Sequence, residues 1–239
     1  MKVWIAFLAL LGGCGSLEGE VRNAATGKPV AGALVKMSTI GWGRRNGQLV
    51  WDAETIHESR ADEQGRFTFD GIDGGGRLQV QSAAGNFDHG SLCPQSPLLV
   101  WVGGPNSNLK FRHRLVFADA LSADDEDRAF PPALARNFGL SASGAAFGQG
   151  STLRISAKGG LAFVRGTGTV PATPDANYVS AIDIDFSRDC GWLFISDGKS
   201  PVAVIEVRSP GGRQSPGGPW IWSMSFAPLP SMRPNNLIR

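Results

Sequence analysis

The chain is poor in the side chains that most enzymes use. It has three histidines, His57, His89 and His113, and none stands at a metal-ligand spacing from another. It has three cysteines, Cys14, Cys93 and Cys190, and no C-x-x-C. Neither a zinc site nor a dithiol redox site is therefore indicated. No G-x-S-x-G occurs, because Ser143 takes the place of the second glycine in "GLSASG". H-E-x-x-H and the phosphate-binding P-loop are missing too. Lysine and arginine are dispersed, the net charge is only +2 and the pI is about 8.6, so there is no basic patch for nucleic acid. Beyond residue 11 no apolar run is long enough to cross a bilayer as a helix. These gaps argue for a non-catalytic protein without cofactor or metal. A hydrolase assembled from scattered residues is the enzymatic alternative.

What is present points to β-structure. Apolar residues make up 42 %, enough for a sizeable core, and 32 glycines and 15 prolines punctuate the chain. Two-residue alternation recurs in "SLEGEVRN", "ALVKMST", "RFTF" and "RLQVQS", and it places one face of each segment in a core. Turn clusters separate them, such as Asp62 to Gly65. "GWGRRNGQLVW" interrupts the pattern and carries Asn46-Gly47, a strong hairpin signal.

The first sixteen residues read as an export leader. Met1-Lys2 is followed by an uncharged apolar run, Val3 to Leu11, then Leu11-Gly12-Gly13-Cys14. This resembles the lipobox of bacterial lipoprotein precursors. The resemblance implies removal of residues 1–13 and lipidation of Cys14 as the first mature residue, with the membrane as partner. Gly15 after the cysteine resembles the outer-membrane sorting case, which implies an envelope protein facing the periplasm or the surface. An ordinary secretory leader with an incidental cysteine is the alternative. Cys93 and Cys190 remain, either as a disulfide in an oxidising compartment or as buried thiols.

"GEVRNAATGKPVAGALVKM", "RADEQGRFTFDGI" and "GGGRLQVQSAAGNF" together resemble the carboxypeptidase regulatory-like domain. The matching positions include Gly19, Val21, Thr26, Gly27, Pro29, Gly32 and Val35 in the first stretch. Asp62, Gly65, Phe67 and Phe69 match in the second, and Gly76, Leu78, Val80 and Gly85 in the third. The sequence departs from the family at Gly74-Gly75-Gly76, where Pro-Gly is usual, and at Phe87, where tyrosine is common. The resemblance covers about a third of the chain. It implies a transthyretin-like, immunoglobulin-like β-sandwich over residues 14–118, related to carbohydrate-binding-like folds and without catalytic groups of its own. "SPLLVWV" and "NLKFRHRLVF" read as its closing strands.

Residues 119–150 read as a linker with short helices, one starting at Ser122 with Asp125 as a capping-box-like partner and stopped by Pro131-Pro132, a second in "PALARNFG", and a loop in "SASGAAFGQG". Residues 151–239 return to evenly spaced strands, expected as a β-rich meander forming a sandwich or small barrel, or packing onto the first sheet. The overall expectation is an all-β chain.

Two clusters invite a ligand. Asp183, Asp185, Ser187 and Asp189 alternate, but Arg188 stands where a calcium loop needs glycine, and a strand puts all four on one wet face. Trp42 and Trp51 bracket the enlarged hairpin, with Arg44, Arg45, Asn46 and Gln48 between them. Aromatic faces with planar polar groups suit a sugar ring, and Trp with Arg equally suits a protein interface. Core packing of both tryptophans is the alternative. The expected function is a lipid-anchored envelope binding or scaffolding protein, its partner a glycan or an envelope protein.

Overall fold

The computed structural model describes residues 16–45, 48–71, 76–89, 97–109, 111–117, 130, 132–144, 152–172, 177–185, 189–207 and 222–229. The chain is all-β and sandwich-like, with almost no helix. Its first seven strands are β1 (Leu17–Asn23), β2 (Leu34–Arg45), β3 (Gln48–Arg60), β4 (Arg66–Phe69), β5 (Arg77–Ser82), β6 (Gly85–His89) and β7 (Leu98–Val102). One sheet has the order β3-β2-β5-β6. The second is β4-β1-β7, extended beyond β7 by the short β11 (Thr167–Gly168).

Alternation places Val21, Val35, Met37, Phe67, Phe69, Leu78, Val80, Leu98, Val100 and Val102 in one core between these sheets. Burying each large aliphatic or aromatic side chain stabilises the fold by about 1.5–3 kcal/mol. Phe67 and Phe69 meet edge to face, with centroids 5.7 Å apart. The Phe67 ring lies over Gly19, where a Cβ would collide with it and come 2.7 Å from the Leu98 carbonyl oxygen. The turn into β4 is closed by Asp62, whose Oδ1 accepts from the Gln64 and Arg66 amides at 2.9 and 2.7 Å. Gly65 takes the positive φ of 74° that this turn requires.

The third sheet has the order β12-β10-β13-β14-β15-β8. Its strands are β8 (Arg112–Phe117), β10 (Thr152–Arg165), β12 (Val179–Asp185), β13 (Gly191–Ser196), β14 (Pro201–Val207) and β15 (Trp222–Pro228). A further strand, β9 (Ser141–Gly144), pairs with β10. One face of this sheet packs Leu153, Ile155, Leu193 and Ile205 against Phe138 of helix α1 (Pro132–Phe138) and against Phe130 and Leu140. The other face packs Trp192, Phe194, Val204 and Ala227 against Ala24 and Trp101, on the outer side of the β1–β7 pair. β13 is buried along its whole length, as expected of a central strand covered on both faces.

Three expectations change. The segment read as a second closing strand of the first module is β8, and it pairs with β15 instead. The edge of β7 is not open to it, because β7 already lies between β1 and β11. "SASG", read as loop, is β9, since its small side chains let it pair with β10 while Ala142 enters the core. The Gly41–Trp51 stretch, read as an interruption, is strand up to Arg45 in β2 and again from Gln48 in β3.

The strand directions order the two ends of the sandwich. β1 begins beside the end of β4, with Leu17 opposite Phe69, and runs parallel to β7. A Cβ on Gly85, at the β5–β6 turn, would come 3.0 Å from Gly103, just after β7. The C-terminal end of β5 therefore lies where β1 and β7 finish. Its first residue, Arg77, lies where β1 starts, and β2, antiparallel to β5, leaves the sheet at that same end.

Candidate functional site

The site follows from unequal strand lengths. β5 has six residues and pairs β2 only from Leu34 to Ser38, the last pair being Ser38 with Arg77. β2 and β3 stay paired with each other well past that point. Thr39 stands opposite Thr55, Ile40 opposite Glu54 and Gly41 opposite Ala53. The register then shifts, and Gly43 opposite Val50, Arg44 opposite Leu49 and Arg45 opposite Gln48 complete the ladder. Among the described residues no other strand pairs with β2 beyond Ser38. The result is a two-stranded ribbon projecting past the sheet. From Thr39 to Arg45 it is seven residues long, roughly 24 Å at the antiparallel rise.

The register shift is a β-bulge. Between the flanking pairs β2 supplies one residue, Trp42, and β3 supplies two, Trp51 and Asp52. The two tryptophans singled out in the sequence are thus brought to one level of the ribbon by the backbone, with glycines at 41 and 43 on either side of Trp42. Bulges bend and twist the strand pair that carries them. Arg44 and Arg45 sit farther out, and only residues 46 and 47 separate the last paired positions. The side chains of Trp42, Arg44, Arg45 and Trp51, and residues Asn46 and Gly47, lie outside the described residues. So do Cys14, Cys93, Ser187 and the helix start expected at Ser122.

Where the ribbon joins the sheet, the outer face is polar and internally paired. Lys36 binds Glu58 at 2.5 Å, and Arg77 grips both oxygens of Asp88 at 2.7 and 2.6 Å. The bond and charge of Asp88 raise the Arg77 pKa above its ordinary value, with a smaller contribution from Glu54 on the ribbon. Ile56, opposite Ser38 at the root of the ribbon, is 62 % exposed.

The other candidates resolve differently. Asp183 is exposed and pairs with Arg154 at 3.2 Å. Asp189 is buried and closes the loop after β12: its Oδ2 accepts from the Asp185 amide at 2.9 Å and its Oδ1 from Arg165 at 3.1 Å. The acidic series therefore splits into a wet-face ion pair and a loop-closing carboxylate. His57 sits on β3 opposite Met37. Cys190 is disulfide-bonded and packs into the core of the first sandwich, directly before β13 of the third sheet. Among the described residues no group of His, Cys, Asp or Glu is arranged to hold a metal ion, and no helix is long and apolar enough to cross a membrane.

Trp101 and Trp192 were not singled out by motif, yet they join the second and third sheets. Trp101 donates from Nε1 to the Arg165 carbonyl at 3.0 Å, whereas the Nε1 of Trp192 and the hydroxyl of Tyr178 are buried without a partner. Burial raises the Tyr178 pKa. Only the unbroken apolar runs in "LLVWV" and "GWLFIS" hinted at their depth.

Compared with protein-family models, with curated proteins and with solved structures, the chain gives no match.

Proposed function

We propose that this is a non-catalytic, lipid-anchored envelope protein that holds or is held through the β2–β3 ribbon. The observation that carries the reading is the ribbon itself. Its paired strands continue past Ser38, the last β2 residue that β5 pairs, and carry two tryptophans at one level and two arginines beyond them. Aromatic and arginine side chains dominate binding energetics wherever they are presented to a partner. The leader ending in Leu11-Gly12-Gly13-Cys14 supplies the anchor and the envelope address, with the outer membrane as the proposed site. A carboxypeptidase regulatory-like origin for the first sandwich fits this role, since that module is an accessory one.

The test is a chain whose ribbon is cut back to a two-residue Asn-Gly connection between Thr39 and Thr55. It should keep the melting behaviour of the parent and lose the cross-links that the parent forms to envelope components in cells. A shortened chain that keeps those cross-links contradicts the reading.

A second reading concerns the ligand. The bulge that sets Trp42 level with Trp51 favours a glycan, with a sugar ring stacked on aromatic faces. Binding to peptidoglycan sacculi by the parent chain and not by Trp42→Ala would support it. No binding by either removes it.

A further inference from the structure

We infer that the ribbon is a second membrane contact, resting in the headgroup layer of the same bilayer that holds the acyl chains of Cys14. This deepens the lipid-anchored reading above and rests on it.

The argument is one of reach. The anchor residue is three residues from Leu17, where β1 begins, so the tether spans at most about 11 Å. The end of the sandwich where β1 starts is thereby held close to the bilayer surface. The ribbon leaves the molecule at that same end, because Ser38, its last residue paired to β5, stands opposite Arg77. It continues for roughly 24 Å, about twice the tether. A tethered sandwich therefore brings its ribbon to the membrane, whereas a ligand deeper in the envelope would be met by the opposite end.

The composition suits that position. Ile40, Trp42, Leu49, Val50 and Trp51 are apolar or aromatic, and tryptophan concentrates at membrane–water interfaces. Charge is graded along the ribbon. Asp52 and Glu54 lie on the sheet side, with Arg77 near enough to Glu54 to sense it, and Arg44 and Arg45 are distal. Arginines at a surface of anionic phospholipid are attracted to its phosphates. Both backbone edges of the projecting pair are unpaired among the described residues. Such edges are not tolerated in hydrocarbon, so the contact is interfacial and does not span.

The test uses the acylated mature chain bound to vesicles of phosphatidylethanolamine and phosphatidylglycerol whose acyl chains carry bromine near the headgroup. The bromine should quench part of the tryptophan emission, and that part should vanish in Trp42→Phe/Trp51→Phe. Quenching should also fall in Arg44→Gln/Arg45→Gln on anionic vesicles but not on purely zwitterionic ones. Circular dichroism checks that each variant keeps its strand signal. If the chain floats with the vesicles and the tryptophan pair contributes no quenching, this inference is overturned and the anchor stands. Quenching that soluble peptidoglycan fragments abolish overturns it in favour of a glycan ligand. If the chain does not float, the anchored reading itself falls, and this inference with it.

Discussion

Removing the Trp101 side chain should weaken the whole molecule, not one layer of it. The residue sits on β7 with Val100 and Val102 turned into the first sandwich, while its own ring packs among Ala162, Trp192, Phe194, Val204 and Ala227 of the third sheet. It is 8 % exposed. Trp101→Ala deletes a buried indole and opens a cavity between two sheets, which costs about 3–5 kcal/mol. For a chain with a typical stability of about 5–15 kcal/mol this is a large fraction, and it corresponds to a fall in melting temperature on the order of 10 °C. Trp101→Phe keeps most of the apolar contact and loses only the bond to the Arg165 carbonyl, at a cost of about 1 kcal/mol. Urea denaturation of the disulfide-intact chain, followed by tryptophan emission and by circular dichroism, measures both. The expected outcome is one transition in each probe, with midpoints ordered parent, Phe, Ala. A loss below about 1 kcal/mol in Trp101→Ala, or two separate transitions in the parent, would refute the claim that this indole binds the second and third sheets into one cooperative body.

Three further outcomes follow from single residues. Gly19→Ala drives a Cβ into the Phe67 ring and against the Leu98 carbonyl, so it should cost about 1–3 kcal/mol as overpacking does, read as a lowered melting temperature. Cys190 is 3 % exposed and cross-linked; non-reducing peptide mapping should join it to Cys93, and Cys190→Ala should then lose about 4–5 kcal/mol, the value for a closed loop near one hundred residues. A link to Cys14 would contradict both the pairing and the lipid anchor. Asp197 closes the β13–β14 hairpin, where backbone amides of Ser200 and Lys199 hold its pKa below the ordinary value. With a folded pKa depressed below the unfolded one, its stabilisation is present above the unfolded pKa and is lost as pH falls through the folded one. Asp197→Asn should therefore flatten the acid limb of the stability profile below about pH 4, and an unchanged limb would speak against the assignment.

Much of the first sandwich was legible because its signals are local. Asp62 and Gly65 announce a turn by their own backbone chemistry, and Leu78 with Val80 announces a buried face by spacing alone. The helix at Pro132–Phe138 begins at a proline and is followed by Gly139 at a φ of 58°, both readable as helix boundaries. Strand exchange between sheets was not legible. Whether β8 closes the first sandwich or edges the third depends on β7 already being flanked by β11, and β11 comes from residues some sixty-five positions later. No local pattern carries that information.

The candidate site was half legible. Asn46-Gly47 and the bracketing Trp42 and Trp51 marked an enlarged hairpin, and the ladder places Arg45 opposite Gln48 as a two-residue connection requires. That the hairpin outruns its neighbour is a relation between strand lengths, seen only when β5 is found to end its pairing at Ser38. Its lying at the end where β1 begins is a property of strand direction across two sheets. The single disulfide-bonded cysteine in the described residues shows the same limit, since spacing in sequence does not set Cα separation.

The most direct test of the account is intact-mass and peptide mass spectrometry of the mature protein recovered from the envelope fraction. The account requires a first residue of Cys14 carrying acyl chains, three residues before β1. An N-terminal peptide that still contains Met1 to Gly13, or an unmodified thiol at Cys14 on a protein released freely into the aqueous fraction, would contradict it.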